Sequence, residues 1–490
     1  MRHRSAFFVL SVVAAATIGG IAAGCGSSGS GALTSANTAG EPGDDGGGGS
    51  ADGADSPLGD GGSQTCPLCD QRVSCPDGGD TTLTGTVYDP SGKLPVYSAF
   101  VYVPNGSPAP IVSGASCSGP PKGVSQVSIA LTDTSGRFQL RNMPVGSKIP
   151  VVFEVGKWRR EITVDLQPET AACRETTVSK DLSRLPRTQF EGNIPLIALS
   201  TGAGDSLECT LRRMGIADSE FSTRGGAGRI HLYKGEDAVT DAGSSLATGA
   251  FTSAIDNGAP FPPSTSLWGS VGTLQPYDAV ILSCEGAVNA ESKPQTALTA
   301  LYDYESRGGR VFANHQHQYW FSHGPAAVKA LGTWVTAPGT VGAGQKETAS
   351  INTGYVQATA FADWLQSAGG TTTHGQLDIT APRDDLSAVS TNAHAWATIP
   401  SYVDANGKSG GSAVQIMSYT VPIGQAAICG GAVFVDFHGS SATRDQIGRG
   451  APFPSACTTG DLSPQEKAIE YMLLREIQWP GAYIANASTR

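Results

Sequence analysis

Hydrophobic and polar positions change texture three times along the chain. Residues 26–65 are dominated by Gly, Ser, Ala and Asp and hold no apolar run that could enter a core; such composition predicts a disordered tether. As a flexible coil it reaches about 35 Å on average. From Thr82, short alternating runs of Val, Ile, Tyr and Phe are separated by Pro-Ser-Gly, Thr-Ser-Gly and Pro-Val-Gly turns. Period-two alternation between turn signals predicts an antiparallel β-sandwich.

From Ile194 the runs become continuously apolar, the pattern of strands buried on both faces. Ile194–Ser200, "YDAVILSCEG", "RVFANH" and "GGAVFVDFHG" are four such strands. Helices intervene. One carries Leu207, Leu211 and Met214 on one face and ends at Gly215; another, "SKPQTALTALYDYESRGG", has Pro294 in its first turn and Gly308-Gly309 at its end. Alternating strands and helices predict a doubly wound α/β domain with a mainly parallel sheet. The last segment predicts an amphipathic helix: Ser463 and Glu466 form a capping box, Pro464 opens it, Pro480 stops it, and Ile469, Met472, Leu473 and Ile477 make its apolar stripe.

The N-terminus adds an address. Arg2 and Arg4 precede an apolar stretch from Ala6 to Gly24, the pattern of a secretory signal, with an uncleaved membrane anchor as the alternative. The ending "IAAGC" resembles a bacterial lipobox with Cys25 as the lipidated residue, although Ala22 stands where such boxes usually carry Leu. Gly26 after the cysteine implies outer-membrane delivery, with acyl chains as the contact to the membrane. The expected organisation is therefore a leader over 1–24, the tether over 25–65, a Cys-rich connector over 66–81, the sandwich over 82–185 and the α/β domain over 190–480.

Charge narrows the partners. Acidic residues outnumber basic ones 43 to 32 with no basic run, which argues against nucleic acid, since phosphate binding draws on clustered Lys and Arg. Ten cysteines behind a secretion signal imply an oxidising compartment and disulfides. With Cys25 lipidated, nine remain and at least one lacks a partner in the chain. Cys66, Cys69 and Cys75 lack a fourth ligand at zinc-finger spacing, so disulfides are favoured there. Cys117 with Cys173, Cys209 with Cys284, and Cys429 with Cys457 are the expected pairs.

Two resemblances sharpen this outline. "GTVYDPSGKLPVYSAFVYV" followed by "TDTSGRFQLRNMPVG" resembles a carboxypeptidase regulatory-like domain, which implies a transthyretin-type sandwich in a non-catalytic, spacing role. "YDAVILS", "GGRVFANH" and "GAVFVDFH" resemble, in order, segments of the ThuA-like branch of the class I glutamine amidotransferase-like fold. That resemblance implies His315 and His438 as site histidines. The cysteine nucleophile of amidotransferases has no counterpart after "RVFA", where Asn314, His315 and Gln316 stand, so glutamine hydrolysis is not expected.

In an open α/β sheet the ligand crevice lies beyond the carboxyl ends of the strands. Three ends carry polar chemistry: Cys284 and Glu285, Asn314 to His317, and Asp436 to His438. If the third strand continued, His315 and His317 would share a side as two metal ligands, with Glu285 or His438 as a third. A divalent metal is one use of such a set; backbone-bonded strand-end histidines are the blander one. His315, Glu285 and His438 are the catalytic candidates. His317, Tyr319, Trp320 and Asn314 are ligand-binding candidates, the aromatics as sugar-stacking rings or as core. Cys284 has a rival role as a thiol nucleophile near His315. The sequence thus favours a lipid-anchored envelope protein of binding or scaffold type with a carbohydrate or envelope ligand. The alternative is a hydrolase or isomerase acting on sugars or cell-wall material.

Overall fold

The computed structural model describes residues 65–119, 125–240, 243–404, 407–439 and 450–476. The leader, Cys25 and nearly all of the tether lie outside the described residues, as do Ile477 and Pro480. Gly61–Arg490 forms one compact unit. Among the described residues, no helix is long and apolar enough to cross a membrane.

The alternating segment forms two sheets. One has five strands, in the order Gln126–Leu131, Phe100–Pro104, Gly146–Val155, Trp158–Leu166 and Gly192–Asn193; the other has three, Arg137–Leu140, Thr82–Thr86 and Glu175–Thr177. Their inner residues meet: Phe138 of the small sheet packs on Phe153 of the large one, ring centroids 5.9 Å apart, and Leu83, Val101, Leu140 and Val151 are fully buried beside them.

The apolar runs build a ten-stranded sheet in the order Phe221–Ser222, Ile230–Tyr233, Ile197–Ser200, Ala279–Leu282, Arg310–Asn314, Gly430–Val435, Ala413–Val421, His394–Ile399, Lys346–Ile351 and Gln376–Thr380. The first six run parallel. The last four add antiparallel pairings, so the sheet is mixed, with its parallel part built from the expected apolar runs. The central strands are buried on both faces because their residues alternate between two cores. Ile197, Leu199, Ile281, Phe312 and Val433 face Leu207, Leu211, Ile469 and Met472; Ala198, Val280, Leu282, Val311 and Phe434 face Leu298, Leu301 and Tyr304.

Helix ends follow the sequence signals closely. Gly215 leaves the Leu207–Arg213 helix at φ 97°. The last helix, Pro464–Glu476, opens with the expected capping box: Ser463 N donates to Glu466 and Glu466 N to Ser463 Oγ. Pro294 is the N-cap of Gln295–Ser306 rather than a first-turn residue.

One apolar cluster runs through the N-terminal sheets and the ten-stranded sheet. It joins Leu83, Val101 and Trp158 to Ile197, Leu211, Ile281 and Ile469. Lys157 Nζ meets Asp278 at 2.5 Å with both side chains nearly inaccessible, and Asp278 also accepts the N–H groups of Gly114 and Leu196. Trp364 of the α/β region donates its indole N–H to Pro95 O, and Tyr97 stacks on Tyr471.

The disulfides are Cys66–Cys69, Cys75–Cys173, Cys117–Cys429 and Cys209–Cys457. All three expected pairings are corrected. Cys117 crosses to Cys429 and so ties the segment after the Phe100–Pro104 strand to the start of the Gly430–Val435 strand. Cys173 holds the Cys-rich connector through Cys75. Cys209 reaches Cys457 because its helix packs beside the segment leading to the last helix. Cys284 remains a free, buried thiol.

Glu470, on that last helix, is fully buried and neither carboxyl oxygen has a hydrogen-bond partner. Burial, reinforced by Asp89, pushes its pKa well above the usual carboxylate range, Lys467 opposing. The folded state therefore holds a proton that the unfolded chain releases above about pH 4.5, and stability falls as pH rises through the window between the two values. Glu470→Gln is expected to flatten that decline and to gain about 1–2 kcal/mol near neutral pH, measured as Tm against pH for both proteins; parallel curves would contradict it.

Candidate functional site

The site begins with how three strands end. The registers Leu282↔Ala313 and Ala313↔Phe434 bring the carboxyl ends of Ala279–Leu282, Arg310–Asn314 and Gly430–Val435 to one edge. The loop after Ile197–Ser200 closes over the same edge at the switch point, where chain connections diverge to the two sides of the sheet. It does so because Gly202 lacks a side chain: a Cβ there would stand 1.9 Å from Cys284 O. Gly204 N and Asp205 N then donate to that carbonyl.

Asn314 clamps these ends together. Its Oδ1 accepts from Cys284 N at 2.8 Å, while its Nδ2 donates to Asp205 Oδ2 and to Phe437 O. Asp205, fully buried, also accepts Gly439 N at 2.7 Å. Expected as a ligand-binding residue, Asn314 instead positions the edge.

Cys284, His315 and His438 come together here, and their ligand atoms all lie within 4.8 Å of one another. Cys284 Sγ is 3.1 Å from His315 Nδ1, and the His315 and His438 rings are 4.0 Å apart between centroids. His315 sits at φ 51°, in the left-handed region that a non-glycine residue occupies only under constraint. Burial pushes the Cys284 thiol up to about 12, against backbone donors at Gln316 and Gly286 that favour the thiolate. Burial, then His438 and Arg383, hold His315 well below the usual imidazole range. His438 is lowered by burial, with Asp205 opposing, and its Nε2 is buried without a hydrogen-bond partner.

The other expected site residues are committed elsewhere. His317 does not share a side with His315, because the chain turns at His315 into a short helix over His315–Gln318 instead of continuing as strand. Its Nε2 lies 2.9 Å from Ser283 O and its Nδ1 accepts the Trp320 indole N–H. With both nitrogens engaged it is a structural brace, its pKa lowered to about 3 by burial and then by Lys293. Glu285 points away from Cys284 and meets Lys293 at 2.6 Å, both side chains essentially inaccessible. Lys293 also donates to Val288 O. Trp320 is core, 2 % exposed and edge-on to Trp268. Tyr319 is half-buried and stacks on the exposed His323.

Sequence reasoning set Cys284 beside His315 only as a rival to a disulfide, and it missed Asp205 and Arg383. The "TGAGD" stretch at the end of the first strand was the available signal, since small residues at a strand end permit close backbone approach. Arg383 is held by Asp385 at 2.8 Å beside the buried Asp436, and nothing near "PRDD" in sequence points to the site.

The Glu285 assignment has a direct check. Lys293→Met leaves a buried carboxylate alone and is expected to cost about 3–5 kcal/mol, most of it restored in the Lys293→Met/Glu285→Gln double variant; denaturant titration measures both, and additive losses would contradict the pairing.

No family model matches the chain, and no curated protein does. Among solved structures, a ThuA-like protein from Bacteroides uniformis ATCC 8492 overlaps 49% of this chain and 80% of its own, at 11% identity and TM-score 0.25. A cohesin–X-dockerin complex from Acetivibrio cellulolyticus, solved as an N-terminal interface mutant, overlaps 29% and 75% at 15% identity and TM-score 0.15. Likenesses this shallow carry no weight for fold or function.

Proposed function

We propose that this chain is a lipid-tethered envelope protein that acts by binding, with the two N-terminal sheets as a spacer and the strand edge of the α/β region as its recognition site. The observation that carries this reading is the convergence of Cys284, His315 and His438 on one edge of a body stapled by disulfides. Rigidity favours binding because little ordering cost is left to meet on association. The carboxylate among the catalytic candidates, Glu285, is neutralised by Lys293. An envelope carbohydrate is the proposed ligand, without the Trp320 stacking surface, since that ring is enclosed. The anchor at Cys25, with the outer membrane as its destination, belongs to the same proposal.

One observation favours a hydrolase as the second reading. His315 is held at positive φ, and strained backbone clusters at catalytic sites as well as at ligand clamps.

Binding of the full chain to isolated envelope polysaccharide separates the two. His438→Ala is expected to weaken binding about tenfold or more while near-UV circular dichroism stays native. Release of cleaved sugar by the wild type, lost in His315→Ala, would replace the binding reading with the hydrolytic one. For the anchor, Cys25→Ser is expected to move the protein from the membrane fraction to the soluble fraction, followed by immunoblot; retention in the membrane would contradict lipidation.

A further inference from the structure

Three lone-pair donors meet at the sheet edge: a thiol sulfur and two imidazole nitrogens. Their ligand atoms lie within 4.8 Å of one another, the Cys284 Sγ to His315 Nδ1 distance being 3.1 Å. Around a single tetrahedral ion, at ~2.3 Å from sulfur and ~2.0–2.1 Å from nitrogen, such atoms stand about 3.3–3.6 Å apart. Shifts of about 1 Å or less bring all three into that arrangement.

We propose that Cys284, His315 and His438 form a site of one thiolate and two imidazoles for a divalent transition ion of the zinc class, with a fourth position open to solvent or ligand. The ligand set differs from the one the sequence suggested, since His317 and Glu285 are committed to Ser283, Trp320 and Lys293. The inference stands apart from envelope binding, because it concerns what the three side chains hold whether or not a glycan docks beside them.

A thiol–imidazole hydrogen bond alone accounts for Cys284 and His315, but not for three further features. His438 Nε2 is buried with no partner, which costs free energy unless something takes its lone pair. Two backbone N–H groups, from Gly286 at 3.3 Å and from Gln316, are directed at Sγ; donors to sulfur suit a metal-bound thiolate, whose orientation and charge depend on such outer contacts. The buried Asp205 carboxylate lies within electrostatic reach of His438. A thiolate and that carboxylate together balance a dication, the nearby Arg383 being paired with Asp385.

Donor chemistry sets the ion class. Thiolate with two imidazoles suits zinc, copper or iron and not magnesium or calcium, which take oxygen ligands. Coordination removes the thiol proton despite burial. It also gives the one unpaired cysteine among the described residues a use in an oxidising compartment.

The test uses the untagged full chain in detergent, stripped with chelator and dialysed against zinc or cobalt(II). The expected result is about one equivalent of zinc per chain and, with cobalt(II), a thiolate-to-metal charge-transfer band. Cys284→Ser should abolish the band, and His438→Ala should weaken zinc at least 100-fold while near-UV circular dichroism stays native. Folded wild type that retains no zinc, a cobalt complex without the thiolate band, or unchanged affinity in His438→Ala would each overturn the site. The readout is metal content and spectrum, so failure here leaves the polysaccharide result to stand or fall separately.

Discussion

The fold converges on the side chain of Asn314. Its amide takes the backbone N–H at Cys284 and gives its own protons to Asp205 and to Phe437 O, so one residue spans the ends of three strands and the loop beyond a fourth. Every group involved is buried. In a low-dielectric interior such a network must be fully paired or it destabilises the core. That requirement fixes where Cys284, His315 and His438 stand, and the backbone at His315 accepts a left-handed conformation as the consequence.

Rigidity around the clamp comes from how the N-terminal sheets are joined to the wound sheet. Asp278, immediately before the Ala279–Leu282 strand, is neutralised by Lys157 from the hairpin turn and caps two N–H groups besides. A buried pair of this kind stabilises less than apolar packing would, but removing one partner strands the other, so it specifies a single docking arrangement. Trp158, the next residue, is inserted among Ile197, Leu211 and Phe312, and the Cys117–Cys429 bridge closes a span of 312 residues across the same junction. The N-terminal sheets and the ten-stranded sheet therefore behave as one body.

What was legible in the sequence follows from what is local. The runs at Ile197–Ser200, Ala279–Leu282, Arg310–Asn314 and Gly430–Val435 could be read because strands covered on both faces admit few polar residues, and the Ser463–Glu466 box because both partners sit three positions apart. The long-range disulfides Cys75–Cys173, Cys117–Cys429 and Cys209–Cys457 could not be read, since their partners meet only once the sheets have formed and docked. His315 and His317 were read as sharing one side on the assumption that the strand continues; a positive φ at His315 broke the alternation. Cys284 and Glu285 are adjacent, yet the thiol meets His315 while the carboxylate meets Lys293. A lysine eight positions downstream, hidden in a plain "NAESKP" turn, decided which of them reaches the histidines.

The central claim is that Cys284 is a thiol enclosed with two histidines and not a bridge to Cys209. Peptide mapping by mass spectrometry, after alkylation of the native and then of the denatured protein, tests it most directly. The account predicts no alkylation while folded, a single new adduct at Cys284 on unfolding, and linked peptides for Cys66–Cys69, Cys75–Cys173, Cys117–Cys429 and Cys209–Cys457. A Cys209–Cys284 linked peptide, or an adduct at Cys284 in the folded protein, would contradict it.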